Sequence, residues 1–524
     1  MIDLSTLTIA WLVLPLLVAF GIYLFPRVDR PFATLAALVS IIYGGSAIAR
    51  AEPLTLTLLN NFGVSLLVDS LSGFFILTNG FVTAAVILYC WGSDRKTFFY
   101  TQLMVLHGSI NSIFLCTDLM SVYVALEVIS IAAFSLIAYP RSDRAIWIAL
   151  RYLFVSNTAM LFYLIGAVLV YKANASFHFE GIQNAPPEAI ALILLGLLVK
   201  GGVFISGLWL PLTHGEAATP VSAMLSGVVV KAGLFPLVRC ALLVPDLDPL
   251  IRLLGVATAL LGVSYAILER DSKRLLAYST ISQVGFVLAA PPVAGFYALS
   301  HGLAKAALFL GVGSLPSRDF RQLRTLNLAP WLGGAIAIAA LSICGAPPLG
   351  GFGAKTLTLD SLLPWQVIPL NVAAVGTVIA LSKLIFLPWN PYFAALKLPF
   401  QGSSNPSINA DNSSHSGDLG KRLGDSSPDT AETAAVATAT PTAGLWLALP
   451  FLLGGLAIAN GFYPQAYGLS SFLKLAITLG IGWGIYGLLP RSLPVQLPRT
   501  VENLDHLIGA MSLGLVILFW MVMP

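Results

Sequence analysis

Apolar residues run along this chain in blocks long enough to cross a bilayer as helices of about 20 residues. Such blocks begin near Leu7, Pro31, Val64, Tyr100, Leu119, Ile146, Glu188, Thr219 and Leu250, and again near Ser272, Val293, Trp331, Gln366, Leu445, Tyr467 and Leu507. The pattern predicts an all-α polytopic membrane protein of about 14–16 transmembrane helices. Two blocks are broken by glycine and proline, LLVKGGVFISGLWLP around Lys200 and CGAPPLGGFGAKTL around Lys355. A lysine at membrane depth costs roughly 2.5 to 3.5 kcal/mol even on lenient scales, so it marks an ion or proton path. Interrupted helices at matching positions of two halves point to a transporter's site.

Polar residues divide the chain further. The stretch 401–442 is rich in Ser, Asn, Asp, Ala, Thr and Pro and is expected to be a disordered polar linker, with His415 a solvated side chain within it. The organisation expected is therefore N-terminal transmembrane helices over 1–63, a transmembrane core over 64–400, the linker, and C-terminal transmembrane helices over 443–524. The first apolar run, from about Leu7 to Phe25, is too long for a signal sequence and lacks a basic leader and a small-residue cleavage site, so it reads as a retained span.

If the spans alternate, the loops after the odd-numbered ones carry Arg27, Arg30, Arg95, Lys96, Arg141, Arg144, Arg270, Lys273, Arg274, Arg318, Arg321 and Arg324, joined by Lys397, Lys421, Arg422, Arg491 and Arg499. The other loops hold little beyond Arg50, Lys172, Arg239 and Arg252. Positive charge accumulates on the cytoplasmic side, which puts both termini on the opposite side.

Composition agrees with this class: 57% of residues are hydrophobic and 10% are charged, against about a quarter charged in soluble domains. The net charge of +4 is scattered over short loops, so no nucleic-acid footprint appears. Cys90, Cys116, Cys240 and Cys344 lie far apart in or beside apolar stretches, without a spacing that suits a metal or iron–sulfur site, and no cofactor is expected. No Walker loop, dinucleotide-binding glycine motif or HExxH motif is present, which argues against a catalytic site or electron transfer in this chain.

The polar positions repeat. Glu127, Arg151 and Lys200 have polar counterparts at Gln283, Lys305 and Lys355, with separations of about 155 residues. A repeat of five spans inverts its second copy, which predicts two inverted five-helix repeats with broken helices.

Glu127, Lys200, Lys231, His301, Lys305 and Lys355 all fall inside apolar runs, away from ends where a long side chain reaches water. A dry surrounding favours a neutral amine and a nearby carboxylate favours the ammonium, so a lysine whose acid partner comes and goes can load and unload a proton. The expected arrangement pairs Glu127 with Lys200 and carries protons through Lys231, His301 and Lys305 to Lys355. His301 and Lys305 are four apart and share a helix face. Singly, each has a plainer reading: Glu127 as a static ion-pair partner, Lys231 as a packing lysine, His301 as a satisfied core histidine. Arg151 cannot readily release its proton and is expected to position others. Lys383 sits near a span end and is expected to reach toward water. His214 and Glu216 are expected at a cytoplasmic mouth, either for proton uptake or as ordinary loop residues.

Over roughly Val64 to Trp389 the sequence resembles the antiporter-like subunits shared by Mrp-type sodium/proton antiporters and respiratory complex I or its photosynthetic NAD(P)H dehydrogenase relatives. The segments that carry the resemblance are WLPLTHGEAATPVSAMLSGVVVKAG, ERDSKRLLAYSTISQVGFVLA, SHGLAKAALFLGVGSL and GAPPLGGFGAK. It implies a proton path through a glutamate on the fifth helix, lysines on the broken seventh and the eighth, a histidine and a lysine on the eleventh, and a lysine or glutamate on the broken twelfth. Those roles fall on Glu127, Lys200, Lys231, His301, Lys305 and Lys355. It further implies a fourteen-helix core, other membrane subunits as partners in a hetero-oligomer, protons and sodium as the ions moved, and a cell inner or thylakoid-type membrane.

Three positions depart from the family pattern. LPDAH is replaced by Leu210, Pro211, Leu212, Thr213 and His214, which removes an acid near the cytoplasmic access route; a tryptophan gives way to Leu126; and a proline gives way to Ile205. Lys355, the HGLAK stretch and Gln283 look closest to the D-type Mrp subunit, whereas the linker and additional terminal spans keep the complex I reading open. The function expected is cation/proton antiport within an Mrp-type complex; the alternatives are the proton-pumping arm of an NAD(P)H–quinone oxidoreductase and a structural subunit without transport.

Overall fold

Lipid offers no hydrogen bonds to a polypeptide, so each apolar run satisfies its backbone internally as a helix. The computed structural model describes residues 3–58, 63–326, 328–389, 443–489 and 503–522; the linker expected over 401–442, with His415, lies outside them. The chain begins with α1 (Leu4–Leu24) and α2 (Asp29–Ala49), followed by an antiparallel hairpin of β1 (Leu54–Thr57) and β2 (Ser65–Val68) that sets Leu54 opposite Val68. Then come α3 (Ser70–Cys90), α4 (Thr97–Ile113), α5 (Leu119–Ile137), α6 (Asp143–Asn174), α7 (Pro187–Gly201) and α8 (Leu210–Glu216). Next are α9 (Thr219–Met224) and α10 (Val230–Leu243), joined by a π-helical turn at Leu225–Val229. The core continues with α11 (Asp248–Leu268), α12 (Ser272–Ala289), α13 (Ala294–Val312), α14 (Phe320–Leu323), α15 (Pro330–Cys344), α16 (Gly350–Asp360) and α17 (Pro364–Ile385). The C-terminal helices are α18 (Ala443–Ala459), α19 (Leu469–Leu488) and α20 (Leu504–Val522).

Taking α7 with α8, α9 with α10 and α15 with α16 as single rods, and setting the short α14 aside, gives sixteen rods among the described residues. Each corresponds to one of the sixteen runs read from the sequence. Among the described residues, thirteen segments are long and apolar enough to cross a membrane by length and composition. The polar α12 is an instructive exception. It carries Lys273, Arg274, Ser279, Thr280, Ser282 and Gln283, and all of its residues from Ser272 to Ala289 are buried. A helix enclosed by other helices has no lipid-facing side to keep apolar.

The rods pack in a pattern that recurs five spans later. α5 lies between α4 and α6, α6 packs on α7, and α7 packs on α10; correspondingly α12 lies between α11 and α13, α13 packs on α15, and α15 packs on α17. Both broken rods are cut the same way. α7 ends where Gly202 takes a left-handed φ of 66°, and α15 ends where Gly345 takes φ 90°. A side chain at either position would clash with its own backbone, so glycine ends the helix there.

The three helices that follow the linker pack on the helices before it. α18 packs on α3 and α13 within the core, α19 on α17, and α20 on α7. α18 thereby becomes the fourteenth rod of the core, with α19 and α20 added at its edges.

Short polar contacts hold the loop ends. Asp69 caps α3 by accepting the Ser72 amide, and takes both Nη atoms of Arg239 from α10 at 2.5 and 2.9 Å. Burial alone would raise the Asp69 carboxyl, but the bonds and charge of Arg239 outweigh it and hold the group below the usual carboxylate range.

Candidate functional site

α7 brings Lys200 to its last turn, where the side chain turns toward α5 and α6. Its Nζ donates to the Leu126 carbonyl at 3.1 Å and to the hydroxyls of Ser130 and Ser156. Three oxygens around Nζ match the three protons of an ammonium. The two hydroxyls also touch each other at 3.1 Å, and Ser130 donates onward to the Leu126 carbonyl at 2.6 Å. A cavity of about 10 Å³ adjoins Lys200, lined by Ser156, Tyr152, Trp209 and Val229 among others. That is room for about one water molecule.

Glu127 follows Leu126 on α5. Its Oε1 is buried and meets no hydrogen-bond partner. No ion pair within 4 Å joins it to Lys200 among the described residues, so the expected pair is open in this structure. The serines occupy Lys200 in its place. Sequence reading overlooked Ser130 and Ser156, because a serine in an apolar helix reads as ordinary packing. The available signal was that Ser130 lies three residues after Glu127, on the same face of α5.

Lys231, His301 and Lys305 form a second cluster. Lys231 Nζ lies 3.3 Å from His301 Nδ1 and 3.3 Å from the Ser226 carbonyl. That carbonyl belongs to the π-helical turn, where the wider winding disturbs the usual bonding ladder. Ser226 Oγ touches Thr280 Oγ1 at 2.7 Å, Thr280 donates to the Leu276 carbonyl at 2.8 Å, and Lys305 Nζ donates to the same carbonyl at 3.0 Å. Lys231 and Lys305 are thus connected twice, through His301 and its helix, and through Ser226 and Thr280. Neither the π turn nor this hydroxyl bridge is visible in the sequence. His301 Nε2 is buried and unpartnered.

On its other side His301 lines a second cavity of about 10 Å³, shared with Gln283, Tyr297, Ser300, Ser342, Ile343, Gly351 and Ala354. Lys355 follows Ala354. Its Nζ donates to the Ile343 carbonyl at 3.2 Å and the Cys344 carbonyl at 3.4 Å, and lies 5.4 Å from the centre of the Phe286 ring. Those carbonyls close α15, where a helix leaves acceptors unsatisfied and its dipole attracts a cation. Gln283 accepts from Tyr297 OH at 2.6 Å and donates to Thr377 at 3.2 Å.

Arg151 is buried on α6 with its guanidinium 5.9 Å from the Trp147 ring. His214 is not at a mouth, as the sequence suggests, but fully buried, with its ring 6.1 Å from Trp209 and 5.9 Å from Phe309. Phe309 lies one turn beyond Lys305 on α13, so His214 faces the same side of that helix. Glu216 stays half-buried, bonded to Arg144 at 3.1 Å with Arg318 at 4.0 Å. Lys383 donates to the Ile267 carbonyl and, at 2.9 Å, to the Glu269 carbonyl, at the end of α11.

Broken helices, a wholly enclosed polar helix and a row of buried lysines and histidines define a polytopic membrane protein with a polar, titratable interior. The chain belongs to the transmembrane family described as NADH:quinone oxidoreductase/Mrp antiporter, which matches residues 116–380. It is 28% identical over 447 residues to NADH-quinone oxidoreductase subunit N of Desulforudis audaxviator, covering 76% of this chain and 89% of that protein. It is likewise 28% identical over 422 residues to the D-type subunit of the Na(+)/H(+) antiporter of Alkalihalophilus pseudofirmus, covering 72% and 85%. Its fold matches a chain of the Mrp complex from a Dietzia species with a TM-score of 0.68 and 20% identity, covering 91% of this chain and 100% of that one. The matched residues contain every member of the row from Glu127 to Lys355.

Proposed function

We propose that this chain is a proton-translocating membrane subunit that exchanges protons for a cation such as sodium, working with other membrane subunits in an Mrp-type complex. The observation that carries this reading is the row of buried titratable side chains. It runs from Lys200 past a water-sized cavity to the π turn and Lys231, then through His301 and past a second such cavity to Lys355.

In this reading Lys200 alternates between two partners. Held by Ser130, Ser156 and the Leu126 carbonyl, it keeps its proton away from the carboxylate; turned toward Glu127, it forms the ion pair that the structure leaves open. An ammonium moving toward or away from the cavity changes the field at Lys231, which favours or opposes a proton there. Lys231 and His301 are within proton-transfer distance, and the Ser226–Thr280 bridge offers Lys305 a second connection. Arg151 holds a fixed positive charge on α6, and His214 packs against Phe309, one turn from Lys305.

A second reading rests on the similarity to NADH-quinone oxidoreductase subunit N, under which the same row is driven by a quinone-reducing partner. One preparation separates the two: proteins that copurify in mild detergent are identified, and proton flux is measured after reconstitution. Sodium-dependent flux without quinone or electron donor, abolished in Lys200→Ala, supports antiport. Copurifying quinone-reductase subunits with flux only during electron transfer support the second reading.

A further inference from the structure

Lys231 and His301 stand on different rods, α10 with its π turn and α13, and a glycine lies beside each of them. Gly227 follows Ser226 in the π turn, and Gly302 follows His301 on α13. A Cβ on Gly302 would lie 3.0 Å from the Gly227 carbonyl oxygen and 3.4 Å from Lys231 Cε, and would overlap the methyl of Thr78 on α3. A Cβ on Gly227 would lie 3.5 Å from the Gly302 carbonyl oxygen and 3.0 Å from Val82 Cγ1, again on α3. The two rods thus meet backbone to backbone beside the lysine, and α3 closes the third side.

Alanine favours a helix more than glycine does, and α13 is an unbroken helix over Ala294–Val312. A glycine in its middle gives up helix stability, and what it supplies here is the close approach of another backbone.

That approach bears on one distance. Lys231 Nζ lies 3.3 Å from His301 Nδ1, the long end of a hydrogen bond, and a separation of about 3.6 Å is no longer one. The lysine cannot readily follow a retreating partner, because its amine is also held at 3.3 Å by the Ser226 carbonyl and its stem is buried. Shifting α13 off the π turn by a few tenths of an ångström is therefore enough to part the two side chains.

We propose that Gly302 is a positioning residue: its bare backbone seats α13 on the Gly227 carbonyl and so holds Lys231 and His301 at a distance at which a proton passes between them. This rests on the proton-translocating reading of the row. The Ser226–Thr280 bridge still joins Lys231 to Lys305 when the histidine contact is lost, so flux is slowed rather than abolished.

The test measures proton flux per folded molecule and thermal midpoint on the same reconstituted preparations of the full chain with its copurifying subunits. Gly302→Ala is expected to slow flux about tenfold, the order set by a fraction of an ångström of misplacement between reacting groups, and to lower the midpoint through its overlap with Thr78. Thr78→Ser removes the overlapping methyl and keeps the hydroxyl that donates to the Phe74 carbonyl at 2.8 Å. The double variant Gly302→Ala, Thr78→Ser is expected to regain the midpoint while flux stays slow, since the new methyl still presses on the Gly227 carbonyl. Flux that recovers to normal in the double variant makes Gly302 a packing residue for α3 and overturns the proposal, as does undiminished flux in Gly302→Ala. Lys231→Ala separates the two ways to fail. Flux lost in Lys231→Ala but normal in the double variant overturns the positioning role alone, whereas normal flux in Lys231→Ala removes this part of the row and the positioning role with it.

Discussion

The two broken helices carry the same residue type in different company. At the first, Lys200 sits among hydroxyls, with a carboxylate one residue from the carbonyl it binds. At the second, Lys355 sits on the open carbonyls of α15 and the face of Phe286, and the position matching Glu127 is the neutral Gln283, already engaged by Tyr297 and Thr377. A carboxylate can be approached or left, so under the proposed function the first lysine has two partners to choose between. Backbone carbonyls at a helix end are fixed, and the second lysine has one. Under the proposed function, the first broken helix then acts as a switch and the second as a holding site.

The largest expected effect tests whether both ends lie on one path. Lys200→Ala and Lys355→Ala are each expected to lower reconstituted proton flux by about a hundredfold or more, the scale of losing an essential proton carrier. Near-normal flux in Lys355→Ala alone would detach the second half-site from the path.

Gln283→Glu gives the second half-site the acid it lacks. A carboxylate there is expected to hold the proton on Lys355 and to slow flux by about tenfold, since an opposite charge within several ångströms stabilises the ammonium. Flux equal to or faster than the unmodified chain would contradict the division into switch and holding site.

Smaller losses are expected at the hydroxyls. Ser130→Ala and Ser156→Ala each leave Lys200 two of its three acceptors and are expected to slow flux by about fivefold, the worth of roughly one hydrogen bond. Unchanged flux in the two together would mean that the serines fill space rather than share the lysine with Glu127.

The smallest effect on transport is expected at Asp69, whose bond to Arg239 ties α3 to α10 apart from both half-sites. Asp69→Ala leaves a buried guanidinium uncompensated and is expected to cost about 3 kcal/mol of stability, with flux per folded molecule unchanged. Arg239 holds the folded-state carboxyl below its ordinary value, so this stabilisation is fully present above the unfolded-state value and is lost as pH falls through the folded one. The difference in thermal midpoint between the two proteins should be constant near neutral pH and shrink in acid; a difference that persists into acid would remove Arg239 as its cause.

The helices and the candidate row were legible in the chain because lipid makes the requirement strict. A spanning helix needs an apolar run, and an ionisable group inside one is conspicuous. Lys200, Lys231, His301, Lys305 and Lys355 stood out for that reason, as did the two breaks, where glycine and proline interrupt otherwise continuous runs. Even the polar α12 was among the runs read, beginning near Ser272, although its composition departs from a lipid-facing helix.

What the sequence could not supply was the set of groups that each charged residue meets. Ser130, Ser156, Ser226 and Thr280 are ordinary residues in an apolar helix, and they became partners of the lysines only because separate helices bring them within hydrogen-bond distance. The π turn that presents the Ser226 carbonyl is a matter of winding, and the burial of His214 beneath Trp209 and Phe309 is a matter of packing. By itself the sequence determined that this chain spans the membrane many times and where its helices break, because those follow from each segment's own contact with lipid. Only the tertiary structure decided that Lys200 rests on serines, with Glu127 Oε1 lacking a hydrogen-bond partner among the described residues, and that Lys355 rests on a helix end, because those depend on which surfaces of distant helices come to face one another.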